Sequence, residues 1–119
     1  MISTGIDIVK IDRIHKMCLQ YHSDWWFRHI GSKQEWDYAH TKKKYSESLA
    51  GFFAAKESYI KAVSEHIKKP ALQDIEIFHS PEGRPYISSN RSDLISNHLQ
   101  VSISHEQEYA IAIVLFFIH

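Results

Sequence analysis

The most constraining feature of the chain is a long amphipathic segment in its middle, from residue 46 to about residue 67. Its larger apolar residues recur at helical spacings and form one stripe: Leu49, Phe53, Ile60, Val63 and Ile67. Pro70 follows and ends the helical pattern, because proline cannot continue a helix. The pattern predicts a long helix whose apolar stripe must be covered by a second layer.

Strand-like segments lie on both sides of this helix. We predict strands at residues 2–9, 72–78, 86–88, 100–104 and 109–117. Further helices are predicted at residues 10–20, 32–38 and 91–97, the second of them capped by Ser32. One strand, several helices and then mostly strands favour an α+β fold. We expect a single compact domain over residues 1–119, with an antiparallel sheet packed against the long helix.

Composition is compatible with one such domain in a reducing compartment. The chain has 119 residues, of which 44% are hydrophobic, so a sizeable core can form. The single cysteine, Cys18, lies on the apolar face of the first predicted helix and is expected in the core. Residues 110–118 are too short to span a bilayer, and residues 1–9 lack a signal pattern. We therefore expect a cytoplasmic protein without a membrane partner.

The charges balance overall but not along the chain. Fourteen Lys or Arg match fourteen Asp or Glu, which argues against a general nucleic-acid binder. Residues 10–44 carry eight Lys or Arg against four Asp or Glu, whereas residues 45–119 carry six against nine. The basic part is compatible with an acidic partner, and an unevenly charged, solvated surface is the alternative.

Two carboxylates and an amine are the best candidates for chemistry. Asp7 interrupts an apolar strand, and a buried carboxylate is costly unless it is paired or metal-bound. Glu57 and Lys61 share a helix face with Ala50 and Ala54, small residues that would let another chain or a ligand approach. Asp7 and Glu57 are a plausible pair for Mg²⁺. The alternatives are an exposed Glu57–Lys61 salt bridge and an Asp7 that accepts backbone hydrogen bonds at a strand edge.

Other metal and nucleotide motifs are missing from the sequence. It has no His-Glu-x-x-His, no Cys/His cluster and no glycine-rich phosphate loop of the common types. Ser104 and His105 close a predicted strand and enter a turn, where a hydroxyl and an imidazole can receive phosphate. A catalytic serine–histidine pair is disfavoured, since adjacent residues of one strand rarely meet.

Three segments in this order resemble the holo-acyl-carrier-protein synthase family of 4′-phosphopantetheinyl transferases. They are residues 5–9 (GIDIV) with Arg13 and Ile14, residues 53–58 (FAAKES) with Lys61 and Ala62, and residues 101–105 (VSISH) with residues 108–110 (EYA). Glu35, residues 74–77 (DIEI) and residues 83–86 (GRPY) add support, so the resemblance covers nearly the whole chain.

The resemblance implies transfer of the phosphopantetheine arm of coenzyme A to a serine of apo-acyl carrier protein, which releases adenosine 3′,5′-bisphosphate. It implies Mg²⁺ on the pyrophosphate. Its implied catalytic residues are Asp7, Glu57 and Lys61, the first two as metal ligands. Its implied coenzyme-binding residues are Lys43, Lys44, Lys61, Pro85, Ser104 and His105. A metal-bound water, a carboxylate and Lys61 are open alternatives for the group that activates the carrier serine.

The resemblance also implies partners. Members are typically homotrimers with active sites between subunits, and their first helix meets the acidic carrier protein. Arg13, Met17 and Arg28 are the implied carrier-binding residues, with attraction that weakens with salt. A short, stand-alone chain of this type favours the carrier of fatty acid biosynthesis.

Two departures from the family pattern keep a second function open. Phe52 stands where the family usually has Arg, and residues 64–66 (SEH) replace a Gly-Thr-Gly-like turn. Both changes predict altered coenzyme binding, because one cation is lost and Glu65 adds a repelling charge. The alternative is a non-catalytic module that keeps the fold and binds a carrier protein or a nucleotide.

Overall fold

A long helix lies across a three-stranded antiparallel sheet in the computed structural model, which describes residues 1–89 and 98–118. The elements follow in the order β1 (Ile2–Lys10), α1 (Ile11–Tyr21), α2 (Asp24–His29), α3 (Lys33–His40), α4 (Tyr45–Val63), β2 (Ile75–His79), β3 (Pro85–Ser89), β4 (Leu99–His105) and β5 (Tyr109–Phe117). β5 lies between β1 and β4, while β2 and β3 form a separate hairpin. The predicted α+β class, with an antiparallel sheet against the long helix, is confirmed.

α4 is buried around most of its circumference. The sheet contacts one side of it, and α1, α3 and β2 contact the others. The predicted stripe is confirmed for Leu49, Ile60 and Val63, which are buried, whereas Phe53 and Ile67 are only partly buried. The predicted extension to residue 67 is wrong. The backbone N–H groups of residues 66 and 67 both donate to the carbonyl of Val63, so residues 64–67 form a turn.

The structure differs from the sequence-based predictions at two further places, and one prediction lies outside the described residues. The short helix α2 was not predicted, because its consecutive aromatic residues show no clear period. β2 begins at Ile75 and not at residue 72, since Leu72–Asp74 form a 3₁₀ turn. The Asp74 carboxylate closes this turn by accepting a 3.0 Å hydrogen bond from the Ala71 N–H. The helix predicted at residues 91–97 lies outside the described residues.

The cap predicted for α3 is confirmed. The Ser32 hydroxyl accepts from the Glu35 N–H at 3.1 Å, and the Glu35 carboxylate accepts from the Ser32 N–H at 2.9 Å. This reciprocal pair satisfies two N–H groups that would otherwise have no partner at the helix start. Cys18 is buried in the core, as predicted.

The small residues of α4 let the chain pack against itself. Ala50 and Ala54 are fully buried within this one chain, so the prediction that they admit another chain or a ligand is wrong. A side chain at Gly5 would overlap the Ser58 carbonyl oxygen, and one at Gly51 would crowd Ile103. Small residues on both layers therefore bring α4 close to the sheet.

No helix of the described residues covers the opposite face of the sheet. Side chains of β1 and β5 alternate between two faces: Gly5, Val9, Ala110, Ala112 and Val114 are buried against α4, while the isoleucines between them face outward. Ile6 pairs with Ile113 and Ile8 with Ile111, and these four isoleucines are 38–60% exposed. We call them the outer isoleucine patch. Among the described residues, no helix is long and apolar enough to cross a membrane.

Candidate functional site

Asp7 and Lys61 meet where β1 passes under the C-terminal half of α4. Asp7 lies two residues after the buried Gly5 and two residues before the buried Val9. Because every second residue of a strand faces the same side, its carboxylate is on the face of β1 that contacts the helix. The Lys61 ammonium lies 3.2 Å from an Asp7 carboxylate oxygen and donates to the Ile6 carbonyl at 2.9 Å. The Asp7 side chain is 19% exposed and that of Lys61 54% exposed. The pair is therefore open to an incoming ligand.

The close packing of α4 on the sheet fixes this geometry. The Ser58 hydroxyl donates to Ala112 on β5 at 3.0 Å, and it also lies 2.7 Å from the Ala54 carbonyl of its own helix. Gly5 faces the same turn of α4 and leaves room for its backbone. These contacts hold α4 in register with β1 and β5. The register sets the position of Lys61 over Asp7.

Glu57 lies on α4 one turn before Lys61 and is half-buried. Lys61 is paired with Asp7 and not with Glu57 in the ion pairs of the described residues, which disfavours the simple Glu57–Lys61 salt bridge. No group of three or more His, Cys, Asp or Glu side chains converges in that part of the chain. Mg²⁺ needs only one or two protein carboxylates when substrate phosphates and waters complete its shell. Asp7 and Glu57 offer the oxygen donors that such a site needs, whereas a closed protein cage would need further protein ligands.

A cavity of about 550 Å³ opens at the other end of α4, between the α3–α4 loop, the β2–β3 turn and the end of β4. Its lining combines cationic, polar and aromatic side chains: Tyr38, Lys42, Lys43, Lys44, Glu47, Ser48, Gly51, Phe52, His79, Gly83, Pro85, Ile103 and His105. Four of the residues predicted to bind the coenzyme are thus brought together: Lys43, Lys44, Pro85 and His105.

Ser104 and Lys61 do not line this cavity. Ile103 faces α4, where it lies against Gly51, so the next residue along β4 faces the opposite side of the sheet. Ser104 is accordingly exposed and pairs with Ile111 of the outer isoleucine patch. The structure therefore separates Ser104 from His105 and places Lys61 with Asp7.

One carboxylate faces the cations of the cavity. The Glu47 carboxylate, in the first turn of α4, lies 3.7 Å from the His105 imidazole. An anionic ligand that approaches His105 must compete with Glu47 for this imidazole. Sequence reasoning missed Glu47, because nothing in the sequence around it indicates that β4 ends beside this residue.

Phe52 belongs to an aromatic wall of the same cavity. Its ring is 3% exposed and lies 5.4 Å from the His79 ring and 6.1 Å from the Tyr38 ring. Burial lowers the pKa of His79, and the nearby Lys42 ammonium lowers it further. The position where the resemblance implied a cation is thus filled by packed rings. The charged groups around it come from other elements.

The cavity and the carboxylate cluster, by which we mean Asp7 and Glu57 with Lys61, lie along different halves of α4. Gly51 contacts Ile103 on β4, whereas residues 58–62 contact β5 and β1, so the helix crosses the sheet diagonally. Gly51 and Lys61 are ten residues apart, which is about 15 Å along the helix axis. In one chain, the carboxylate cluster and the cavity are therefore distinct sites.

The residues predicted to bind the carrier protein lie on the first two helices. Arg13 is exposed on α1, and its guanidinium lies 5.6 Å from the centre of the Phe53 ring. Met17 is partly buried one turn later, and Arg28 is exposed in the last turn of α2. The structure leaves both guanidinium groups accessible.

A buried ion pair beside Glu57 was not predicted. Lys56 and Glu35 are fully buried, and their charged groups lie 2.8 Å apart. Lys56 also donates to the Ile30 carbonyl at 2.9 Å, and Glu35 accepts from the Ile77 N–H at 2.8 Å. Burial lowers the pKa of Lys56, while Glu35 opposes this effect. The pair connects α4 to α3 and β2. Sequence patterns do not reveal such burial, because a lysine in a helix is expected at the surface.

Known proteins match this chain over nearly its full length. The family model of the 4′-phosphopantetheinyl transferase superfamily matches residues 3–114. The holo-acyl-carrier-protein synthase of Geobacillus sp. (strain WCH70) is 36% identical over 118 residues, which cover 97% of this chain and 95% of that protein. The corresponding enzyme of Halalkalibacterium halodurans is 35% identical over 117 residues, covering 97% and 94%.

Solved structures agree with the sequence relatives. The holo-acyl-carrier-protein synthase of Bacillus anthracis str. Ames in complex with CoA (3′,5′-ADP) is 35% identical, with a TM-score of 0.77, covering 96% of this chain and 94% of that one. The Helicobacter pylori synthase in complex with coenzyme A is 37% identical, with a TM-score of 0.78, covering 93% and 96%. The chain therefore belongs to the holo-acyl-carrier-protein synthase family of enzymes, within the 4′-phosphopantetheinyl transferase superfamily.

Proposed function

We propose that this enzyme transfers the 4′-phosphopantetheine arm of coenzyme A to a serine of apo-acyl carrier protein and releases adenosine 3′,5′-bisphosphate. The observation that carries the proposal is the pairing of Asp7 with Lys61 beside Glu57, together with a cation-lined cavity at the other end of α4. Relatives named for this reaction, two of them solved with coenzyme A, support it.

Mg²⁺ fits the carboxylate cluster. Asp7 and Glu57 offer only oxygen donors, which is the donor type that this ion prefers, and they would hold it. When bound, the ion would draw charge from the pyrophosphate and stabilise the charge that develops during transfer. The proposal predicts that both carboxylates are needed for activity at limiting Mg²⁺.

Lys61 would bind and orient the reacting phosphate. Its ammonium is half-exposed and held by the Ile6 carbonyl, so it can turn from Asp7 to an anionic ligand without losing both partners. An ammonium beside the transferred phosphate neutralises charge in the transition state. The candidates for the group that removes the proton from the carrier serine are Lys61, a carboxylate and a metal-bound water.

A homotrimer with shared sites is the assembly we propose. The outer isoleucine patch exposes four large apolar side chains on one flat sheet face, and such faces are usually covered by another chain. The separation of the two clusters along α4 supports sites that combine the carboxylate cluster of one subunit with the cavity of its neighbour. Ser104, on the outer face, would then lie near a subunit interface.

Complementation between inactive variants tests the shared site. Glu57→Gln and His105→Ala should each be inactive alone. If each site takes Glu57 from one subunit and His105 from the next, mixed oligomers contain some intact sites, and co-refolding should restore part of the activity. Mixtures that stay inactive although mass spectrometry detects mixed oligomers would exclude sites shared in this way.

The carrier protein would dock on the first two helices. Arg13 and Arg28 present accessible guanidinium groups to an acidic surface, and Met17 adds an apolar contact. We propose the carrier of fatty acid biosynthesis as the substrate and the cytoplasm as the compartment.

Mass spectrometry of the carrier protein tests the transferase function. Apo-acyl carrier protein incubated with this protein, coenzyme A and Mg²⁺ should gain the mass of one phosphopantetheine arm, and EDTA should prevent the gain. Glu57→Gln should abolish the gain at limiting Mg²⁺. Glu82→Gln, at the exposed β2–β3 turn, is the matched control and should retain it. Coenzyme binding without transfer to any carrier would instead favour the non-catalytic binding module.

A further inference from the structure

The fully buried Lys56–Glu35 pair is a feature of α4 that the proposed reaction does not use. The Lys56 ammonium donates to the Glu35 carboxylate at 2.8 Å and to the Ile30 carbonyl at 2.9 Å. The same carboxylate accepts from the Ser32 N–H at 2.9 Å and from the Ile77 N–H at 2.8 Å. Lys56 is therefore anchored to the α2–α3 loop, to α3 and to β2.

Stability alone does not explain such a pair. The attraction between two buried charges is offset by the cost of taking both out of water, so replacing the pair by apolar side chains often leaves stability unchanged or higher. The best-attested use of a buried polar contact is to select one arrangement of packed elements over its neighbours. The arrangement that this pair can select is the rotation of α4 about its own axis.

The face of α4 that packs on the sheet constrains this rotation only weakly. Gly51, Ser58 and Ala62 recur on this face at helical spacing, and Gly5 and Ala112 are small residues opposite them on the sheet. None of these three helix residues has a side chain large enough to fill a groove between its neighbours, which is the contact that orients packed helices. Close packing and the Ser58 hydrogen bond thus set the distance and the register of α4, and they constrain its rotation less.

The rotation matters because the site residues and Lys56 project away from the helix axis. At about 100° per residue, Lys56 lies about 160° around α4 from Ser58, on the side away from the sheet. Side-chain ends lie about 5–6 Å from the axis, so a rotation of about 30° displaces them by about 3 Å. Such a displacement would break the 3.2 Å contact between Lys61 and Asp7. It would also separate Lys56 from Glu35, and a buried ammonium without its carboxylate is strongly unfavourable.

We propose that Lys56 and Glu35 are positioning residues that fix the rotation of α4 and thereby hold Glu57 and Lys61 beside Asp7. They act through the helix and touch neither the substrate nor the metal ion. This inference rests on the proposed function, because it takes Asp7, Glu57 and Lys61 as the residues that bind Mg²⁺ and the reacting phosphate.

A double variant, Glu35→Gln with Lys56→Met, tests the inference. It removes both charges, keeps the shape of residue 35 and retains an acceptor for the Ile77 N–H. The full chain carrying it should unfold cooperatively in urea at a higher midpoint than Glu35→Gln alone, because no unpaired ammonium remains. With coenzyme A present, Mg²⁺ should bind about tenfold more weakly in calorimetric titrations, the lower end of the effect of residues that hold metal ligands in place. The kcat for transfer should fall as well, whereas the KM for the carrier should not change, since the proposed docking residues lie on α1 and α2.

A spectroscopic measurement reports the rotation without metal or substrate. In protein labelled with ¹⁵N-alanine, α4 carries four reporters: Ala50, Ala54, Ala55 and Ala62. Each should give one sharp amide signal in the unmodified chain and broadened or multiple signals in the double variant, since cores lose uniqueness before they lose stability. Lys33→Gln with Asp37→Asn neutralises the exposed ion pair on α3 and should alter neither these signals nor Mg²⁺ binding.

Glu35→Asp is a second variant, which keeps both charges and shortens the carboxylate by one carbon. It should also weaken Mg²⁺ binding, because the anchor of Lys56 moves, and its result decides the matter even if the double variant fails to fold. Mg²⁺ affinity and alanine signals that match those of the unmodified chain, in either folded variant, would overturn the positioning role and leave the transferase proposal intact. Failure of the unmodified, folded chain to transfer the arm would refute the proposed function, whereas the alanine signals would still decide whether the pair fixes the rotation of α4.

Discussion

The buried Lys56–Glu35 pair gives the sharpest test of what holds α4, the helix that carries Glu57 and Lys61, against α3 and β2. Glu35 accepts three hydrogen bonds: from the Lys56 ammonium at 2.8 Å, the Ser32 N–H at 2.9 Å and the Ile77 N–H at 2.8 Å. Glu35→Gln keeps the shape of the side chain. It removes the counter-charge of Lys56 and turns one acceptor into a donor that faces a backbone N–H or the ammonium.

The expected cost is large because the buried ammonium would lose the carboxylate that is paired with it. Both side chains are fully buried, and the remaining acceptors of Lys56 are the carbonyls of Ile30 at 2.9 Å and Leu72 at 3.4 Å. Removal of one partner from a buried ion pair typically costs about 3–5 kcal/mol. Since domains of this size are stable by only about 5–15 kcal/mol, Glu35→Gln should lower the urea midpoint severely.

An exposed pair on the same helix provides the matched control. Lys33 and Asp37 form an ion pair of 2.6 Å on α3, with side chains 79% and 56% exposed. Asp37→Asn should therefore change the free energy of unfolding by no more than about 0.5 kcal/mol. Urea unfolding followed by tryptophan fluorescence, at one fixed protein concentration, measures both variants. If Glu35→Gln cost no more than Asp37→Asn, the reasoning from burial would be wrong.

The pH dependence of this variant follows from the same pair. Burial lowers the pKa of Lys56 and Glu35 raises it, so Glu35→Gln should lower this pKa further. Between the lowered pKa and 10.5, the unfolded state binds more protons than the folded state, and the free energy of unfolding then rises with pH. The deficit relative to the unmodified chain should shrink from neutral to alkaline pH. A deficit that grows over this range would contradict the assignment.

Three further predictions follow from the site. Gly5→Ala should cost about 1–3 kcal/mol in urea unfolding and reduce transfer, since its methyl group would push the α4 backbone away from β1. Because burial lowers the pKa of His79, the folded state resists its protonation; stability should fall as pH drops below 6.5, and His79→Phe should flatten that part of the curve. Arg13→Ala should weaken carrier binding and its salt dependence in titrations at two ionic strengths, whereas Lys69→Met should change neither.

The sequence predicted those parts of the fold that depend on local pattern. The spacing of apolar residues predicted α4, and Ser32 as a capping residue predicted the start of α3, because capping and helical periodicity are set within a few residues. The end of α4 was predicted four residues too late. Ile67 continues the apolar spacing, but the chain turns at residues 64–67. This helix end depends on packing with distant parts of the chain, which the local pattern does not show.

The kinds of chemical group in the site were easier to predict than the positions of individual side chains. An Asp in an apolar strand and a Glu four residues before a Lys predicted a hard-cation site beside an amine, and the structure brings Asp7 to Lys61. It could not be predicted that Lys56, adjacent to Glu57, would be fully buried, because a helical pattern assigns lysine to solvent by default. The burial is tolerable because the ammonium pairs with Glu35, 21 residues earlier in the chain, and also donates to backbone carbonyls.

The path of α4 across the sheet explains why the two candidate sites of one chain lie apart. The helix is placed on the sheet by Gly5, Gly51 and Ser58, and these contacts make it cross from β4 to β1. The crossing puts the carboxylates over one edge of the sheet and the cavity at the other edge. Closer packing within the chain would therefore not bring the two sites together. In the homotrimer proposed above, a neighbouring subunit would bring a second copy of each cluster within reach. Complementation between Glu57→Gln and His105→Ala is therefore a test of the fold as much as of the mechanism.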